Sequence, residues 1–136
     1  MPKHLITYTD GGARGNPGPA ALGVVIKTAD GETLEAFGEY LGAQTNNYAE
    51  YMAILAALRR AKERGAETVE MRMDSELAVK QLKGEYRVKN PGLAVIYLKI
   101  HNELIQFKKV TFHHVRRERN TEADAKVNEA LDRHLK

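Results

Sequence analysis

Apolar residues along this chain change period several times, and each change marks an element. Leu5 to Thr9 alternate and are rich in β-branched and aromatic types, which predicts a strand. Ala21 to Lys27 and Thr33 to Leu41 are two further extended stretches, and the Asp30-Gly31 pair between them signals a hairpin. From Asn46 to Arg64 the residues Met52, Leu55, Ala56 and Ala49, Ala53, Ala57 recur at helical spacing, with Gly65 where a helix-ending glycine belongs. Val69, Met71 and Met73 alternate as a strand, and Glu76 to Leu82 reads as a short helix ending near Gly84. Leu93 to Phe107 is predicted as a helix with Tyr97, Leu98, His101, Leu104 and Ile105 on one stripe. Val110 to Val115 gives a fifth strand. Thr121 to Leu135 closes the chain as a helix with Ala123, Val127, Ala130, Leu131 and His134 facing inward.

Three strands, helix, strand, helices, strand, helix is an order that suits an α/β fold. It predicts a mixed sheet whose first strands form an antiparallel meander and whose later strands enter by crossovers, covered by helices. With 136 residues, 43% of them hydrophobic, residues 1–136 are expected to form one domain with a real core. No internal repeat, low-complexity segment or linker interrupts it. The least regular stretch is Gly84 to Gly92, where Asn90-Pro91-Gly92 ends one element and starts the next helix.

Charge and thiol content narrow the chemistry. Twenty-one basic and 18 acidic residues give a formal charge of +3, and the pI is near 9.1, a mild excess that permits a nucleic-acid partner. There is no Cys, so neither a disulfide framework nor a thiolate zinc site is available, and carboxylates would have to carry any metal. The opening MPKHLITYTDGG lacks an export signal. Apolar runs are broken by charge well before the ~18 residues of a membrane span. A cytoplasmic protein without membrane association is the expectation, monomeric and with no obligate protein partner.

Four carboxylates stand out. Asp10, Glu50, Asp74 and Asp124 sit in TDGGARGNPGP, TNNYAE, MDSELAV and NTEADA. Each has a plain structural explanation. Asp10 before Gly11-Gly12 fits a turn, Glu50 three residues after Asn47 fits a capping box, Asp74 fits the N-cap of the following helix, and Asp124 three after Thr121 resembles a capping box. Capping does not explain why two carboxylates end strands while two others begin helices. Strand parity puts Tyr8 and Asp10 on one face and Thr7 and Thr9 on the other, so Asp10 and Asp74 stand side by side if their strands pair. Four clustered carboxylates repel, raise some of their pKa values and require cations. Oxygen-only ligation suits Mg²⁺ or Mn²⁺ rather than zinc. Two such ions about 4 Å apart activate a water and stabilise the leaving oxygen of an in-line phosphoryl displacement. A phosphate-loop or dinucleotide reading of GGARGNPG fails, because it has neither G-x-G-x-x-G spacing nor a G-K-[ST] ending.

With these four motifs in order, the chain resembles type 1 ribonuclease H over nearly its whole length. The resemblance implies a ribonuclease H-like fold, a five-stranded mixed sheet with its first three strands antiparallel, flanked by helices. It also implies Mg²⁺-dependent endonucleolytic hydrolysis of the RNA strand of RNA/DNA hybrids to 5′-phosphate and 3′-hydroxyl products, with two ions per site and Mn²⁺ as a substitute. Carried over residue by residue, Asp10, Glu50, Asp74 and Asp124 match the catalytic metal ligands, with Asp10 bridging both ions. Asn16, with Gly11 and Gly12 nearby, would meet the RNA strand, and Asn46 and Asn47 would face the minor groove. Thr45 and Asn90 match a pocket for a DNA-strand phosphate. Short amide side chains suit the 2′-hydroxyl, which both donates and accepts; Thr45 as an N-cap and Asn16-Pro17-Gly18 as a turn are the structural alternatives.

The chain departs from the family pattern in three places. The loop before the fourth carboxylate, Val115 to Asn120, has no His, leaving Arg117 or Glu118 as candidates for its role. Glu76 stands where many relatives have Gln after the Asp-Ser pair, and the basic Trp-rich protrusion is missing between Leu82 and Asn90. Hybrid binding is therefore expected to be weaker, supplied by basic residues such as Arg14, Lys80, Lys83, Arg87, Lys89, Arg116, Arg117 and Arg119. The alternative functions are a hybrid-binding module of the same fold without catalysis, and a relative of integrases or junction resolvases that cuts DNA.

Overall fold

In the computed structural model, which describes residues 3–135, Leu5, Thr7, Thr9 and Gly11 are buried while the residues between them are half-buried. That period-2 pattern forms β1 (His4–Ala13), which is longer than expected. Pairing explains the length: Gly11 and Gly12 keep their register with Leu22 and Ala21 of β2 (Gly18–Thr28), so the strand continues through the glycine pair. Asp10 therefore lies inside a strand and neither ends it nor forms a turn. The Asp30-Gly31 hairpin is present, with Gly31 at φ +94°, and leads into β3 (Thr33–Gln44).

α1 (Asn46–Glu63) follows, then β4 (Thr68–Met73), α2 (Glu76–Leu82), α3 (Pro91–Leu104), β5 (Lys109–His114), a single 3₁₀ turn (Arg117–Arg119) and α4 (Thr121–His134). The sheet order is β3-β2-β1-β4-β5. β1–β2 and β2–β3 are antiparallel, and β1–β4 and β4–β5 are parallel, the five-stranded mixed sheet expected. The main core lies between one sheet face and α1 to α3, around Leu5, Leu22, Ile26, Tyr51, Leu58 and Met71. On the other face α4 packs against β1, β2 and β3, sealed by Ala21, Val127, Ala130 and Leu131. Among the described residues no helix is long and apolar enough to cross a membrane.

Two expectations about facing residues are corrected. In α3 the inward residues are Leu93, Ile96 and Ile100, while Leu98 and Ile105 are 65% and 82% exposed. The helix is apolar on both sides, so periodicity alone admits two faces, and it ends at Leu104 rather than Phe107. His134 does not enter the core either. It is exposed, and its ring stacks on Tyr40 with centroids 3.5 Å apart.

Candidate active site

None of the three carboxylates expected to cap a helix does so, and other residues hold the N-cap positions. Thr45 is the N-cap of α1, accepting the Tyr48 N–H at 3.2 Å. Ser75 caps α2 by accepting from Ala78 N–H at 3.2 Å, and Asn120 precedes α4 without a side-chain cap bond. Glu50, Asp74 and Asp124 are thereby free of capping, within about a turn and a half of the N-cap positions. Each lies near an element end on the same side of the sheet: Glu50 at the start of the second turn of α1, Asp74 directly after β4, and Asp124 in the first turn of α4.

Close backbone approach brings these ends onto Asp10. A Cβ on Gly11 would collide with the α1 backbone at Ala49 and Glu50, and a Cβ on Gly23 would collide with the Ala123 carbonyl of α4. Gly11 thus seats α1 on one face of β1, and Gly23 seats α4 on the other. Gly38 extends that seat, since its missing Cβ makes room for the Lys126 carbonyl. All four carboxylates line one cleft of about 330 Å³, together with Gly11, Gly12, Asn46 and Arg117. A larger groove of about 420 Å³ between β3 and α4 is lined by Phe37, Lys126, Glu129 and Arg133. Its charges are mixed and no donor set converges there, so the smaller cleft carries the chemistry.

The electrostatics mark the cleft as short of positive charge. Burial, the charge of Asp74, and a hydrogen bond with Asp124 together with its charge push the Asp10 carboxyl up to about 8, against the opposing Gly11 N–H. Glu50 is also raised, first by burial and then by Asp74, while a hydrogen bond from the Ser75 hydroxyl opposes the rise. Among the described residues no three carboxylate or imidazole groups already close on one point as a finished cage. The quartet is an open rim of hard oxygen donors, which fits a hydrated Mg²⁺ or Mn²⁺ that keeps part of its water shell. A cation there would also relieve the repulsion that holds Asp10 protonated.

The remaining expected residues divide. Asn46 lines the cleft, and its Oδ1 accepts the Ala13 N–H at 2.7 Å. Asn16 is exposed and joins it indirectly, its Oδ1 accepting the Asn46 N–H at 3.0 Å. Asn47 is exposed on the first turn of α1. Thr45 and Asn90 do not line the cleft and serve as helix caps. Asn90 Oδ1 accepts from Gly92 N–H at 2.8 Å and Leu93 N–H at 3.2 Å. Sequence reasoning missed Asn128, whose Nδ2 donates to the Asp124 carboxylate at 3.4 Å and to its carbonyl at 3.2 Å. The i, i+4 spacing from Asp124 was the available signal. Arg14 also lines the cleft, held by Asp132 at 2.7 Å and Asn128 at 3.4 Å.

Residues 8–130 match a protein family described as Reverse transcriptase-like. Ribonuclease HI of Halobacterium salinarum is 43% identical over 125 residues, 92% of this chain and 63% of that protein. A bifunctional protein of Mycobacterium tuberculosis is 41% identical over 129 residues, which is 94% of this chain and 35% of its own length. This chain therefore spans about a third of the mycobacterial relatives that it matches. The crystal structure of RNase H1 from Halobacterium salinarum superposes with a TM-score of 0.93 at 42% identity, covering 96% of this chain and 98% of that one. LC11-RNase H1, solved in complex with RNA/DNA hybrid, gives 0.93 at 46% identity, covering 97% and 99%. With this likeness over almost its whole length, in sequence and in fold alike, the chain belongs to the type 1 ribonuclease H family of enzymes.

Proposed function

We propose that this chain, as a single catalytic domain, is a Mg²⁺-dependent endoribonuclease that cuts the RNA strand of RNA/DNA hybrids. The meeting of Asp10, Glu50, Asp74 and Asp124 in one cleft carries the reading. The hybrid-bound relative LC11-RNase H1 supports the substrate, and the family is generally metal-dependent. Asp10, Glu50, Asp74 and Asp124 are the residues that would hold the Mg²⁺ ions. When bound, the ions supply an activated water and charge stabilisation at the leaving oxygen. The product ends would be a 5′-phosphate and a 3′-hydroxyl.

The chain's own groups do the rest. Asp10, its carboxyl pushed up to about 8 by burial and the neighbouring carboxylates, would release its proton as the cleft takes up positive charge, and Glu50, raised by burial, would be lowered by the same charge. Gly12, half-buried at the cleft with open space at its α-carbon, would present backbone to the RNA strand beside Gly11, whose own bare α-carbon is covered by the α1 backbone. Asn46 and Asn47, with Asn16 bonded behind them, offer amide groups to minor-groove edges and 2′-hydroxyls. Arg117 on the 3₁₀ turn, lining the cleft, offers its guanidinium to a phosphate beside the carboxylates. Thr45 and Asn90 hold the N-termini of α1 and α3 in position, and the positive ends of those helices would face a DNA-strand phosphate.

A labelled hybrid incubated with Mg²⁺ beside the Asp10→Asn variant tests the reading. Cleavage by the parent and none by the variant is the expected result. Equal activity of the two sinks it, and tight hybrid binding without cleavage under Mg²⁺ or Mn²⁺ would make the chain a binding module instead.

A further inference from the structure

Asn120 opens the stretch that carries Asp124, yet no role above uses its side chain. It is 1% exposed, although it lies in a connection between a strand and a helix, where side chains are ordinarily solvated. It occupies the N-cap position of α4 without capping. Instead its Nδ2 donates to the Thr9 carbonyl at 2.9 Å, while its Oδ1 is buried without a protein partner. A half-satisfied buried amide costs stability. A serine or aspartate at this position would cap the helix better.

The Thr9 carbonyl lies at a fork in the sheet. β1 and β4 run parallel in register as far as Thr9 and Met73, and there they part. The next residues are Asp10 and Asp74. Two carbonyls at the fork are closed by one connection, the Met73 carbonyl by the Val115 N–H at 2.9 Å and the Thr9 carbonyl by Asn120. The Asn120 carbonyl in turn accepts the Asp124 N–H at 3.1 Å. One residue thus bonds β1 one position before Asp10 and bonds the backbone of Asp124 directly.

We infer that Asn120 is a positioning residue, whose side chain ties α4 into the β1–β4 fork and so fixes Asp124 beside Asp10 at the spacing a shared cation needs. This rests on the reading of the four carboxylates as a cation site. Residues that orient metal ligands typically change affinity by about 10- to 100-fold when removed.

Titrating metal-free protein with MgCl₂ by calorimetry, and measuring kcat and KM on hybrid across Mg²⁺ concentrations, tests it in Asn120→Ala. Ala130→Gly, which weakens α4 without touching the fork, is the control for general loosening of that helix. Mg²⁺ affinity reduced about tenfold, kcat lowered with KM for hybrid within about twofold, and partial recovery at high Mg²⁺ are expected of Asn120→Ala alone. Wild-type Mg²⁺ affinity and kcat in folded Asn120→Ala, or the same losses in Ala130→Gly, overturn the inference. Should Asn120→Ala fail to fold, the wild type decides: the Asn120 side-chain amide NMR signals should shift saturably with Mg²⁺, and signals that stay fixed overturn the role. A wild type that binds Mg²⁺, loses affinity in Asn120→Ala and cleaves no hybrid supports the positioning role while sinking the nuclease reading.

Discussion

Asp10 stands opposite Gly23 in the antiparallel β1–β2 register, and Gly23 stands opposite Gly38 in β2–β3. The row Asp10, Gly23, Gly38 crosses three strands beneath α4. Its two glycines let the helix backbone lie against the sheet, so that Asp124 reaches Asp10. Gly23→Ala puts a methyl group into the Ala123 carbonyl and should cost roughly 2–4 kcal/mol in urea unfolding, with weaker Mg²⁺ binding. Gly12→Ala is the contrast, because a Cβ there would meet nothing closer than Val127 Cγ1 at 3.8 Å apart from its sequence neighbours; a loss under about 1 kcal/mol is expected there. Equal losses at the two positions would show that α4 is not seated as described.

Asp10 should be a stability liability in the metal-free protein. Its carboxyl is raised from 3.8 to about 8, so between those values the folded chain keeps a proton that the unfolded chain has released. Stability then falls as pH rises through this window, and the full penalty is present above it. Asp10→Asn should raise the metal-free unfolding free energy by about 1–3 kcal/mol near pH 8.5, after allowance for solvent screening. The gain should shrink as pH falls toward about 4 while cleavage is lost throughout. Urea midpoints across pH, with and without Mg²⁺, check this; a gain that does not depend on pH counts against the assignment.

Arg117 should act through phosphate rather than through proton transfer. Arg117→Ala is expected to raise KM for hybrid and to flatten the dependence of log KM on log salt by close to 0.9 units, one phosphate contact. The shape of the pH–rate profile should be unchanged. Steady-state assays at several KCl concentrations decide it, and an altered pH profile with an unaltered salt slope would assign Arg117 the other role.

Tyr51, 1% exposed, donates its hydroxyl to Gln81 Oε1, itself on a residue 7% exposed. The Gln81 carbonyl accepts from the Tyr97 hydroxyl at 3.1 Å, joining α1, α2 and α3. Tyr51→Phe and Gln81→Met should each cost about 1–3 kcal/mol by orphaning the partner, and together less than their sum. A double-mutant cycle in urea reads the coupling. Strict additivity would mean that the pair is not a bond in solution.

Much of this was legible along the chain because local rules governed it. Alternation at Val69, Met71 and Met73, the Asp30-Gly31 turn and the helix from Asn46 survive because local propensity and tertiary packing agree there. Where they disagreed, the sequence misled. α3 carries apolar residues on both sides, so Leu98 and Ile105 looked like core and Ile96 and Ile100 are core instead. Glu50, Asp74 and Asp124 satisfied the composition of caps, yet Thr45 and Ser75 make the cap bonds, because a hydroxyl directly before the first turn has the shorter reach.

What the amino-acid order determined by itself was the list of elements and the four acidic motifs, since strand period, turn residues and helix spacing act within a few positions. Which face of each element turns inward, and how near Asp124 comes to Asp10, was decided only by folding. Those distances depend on backbone approach at Gly11, Gly23 and Gly38 and on the Asn120 bond to Thr9. The partners there lie up to 111 positions apart, and no local pattern encodes such a meeting.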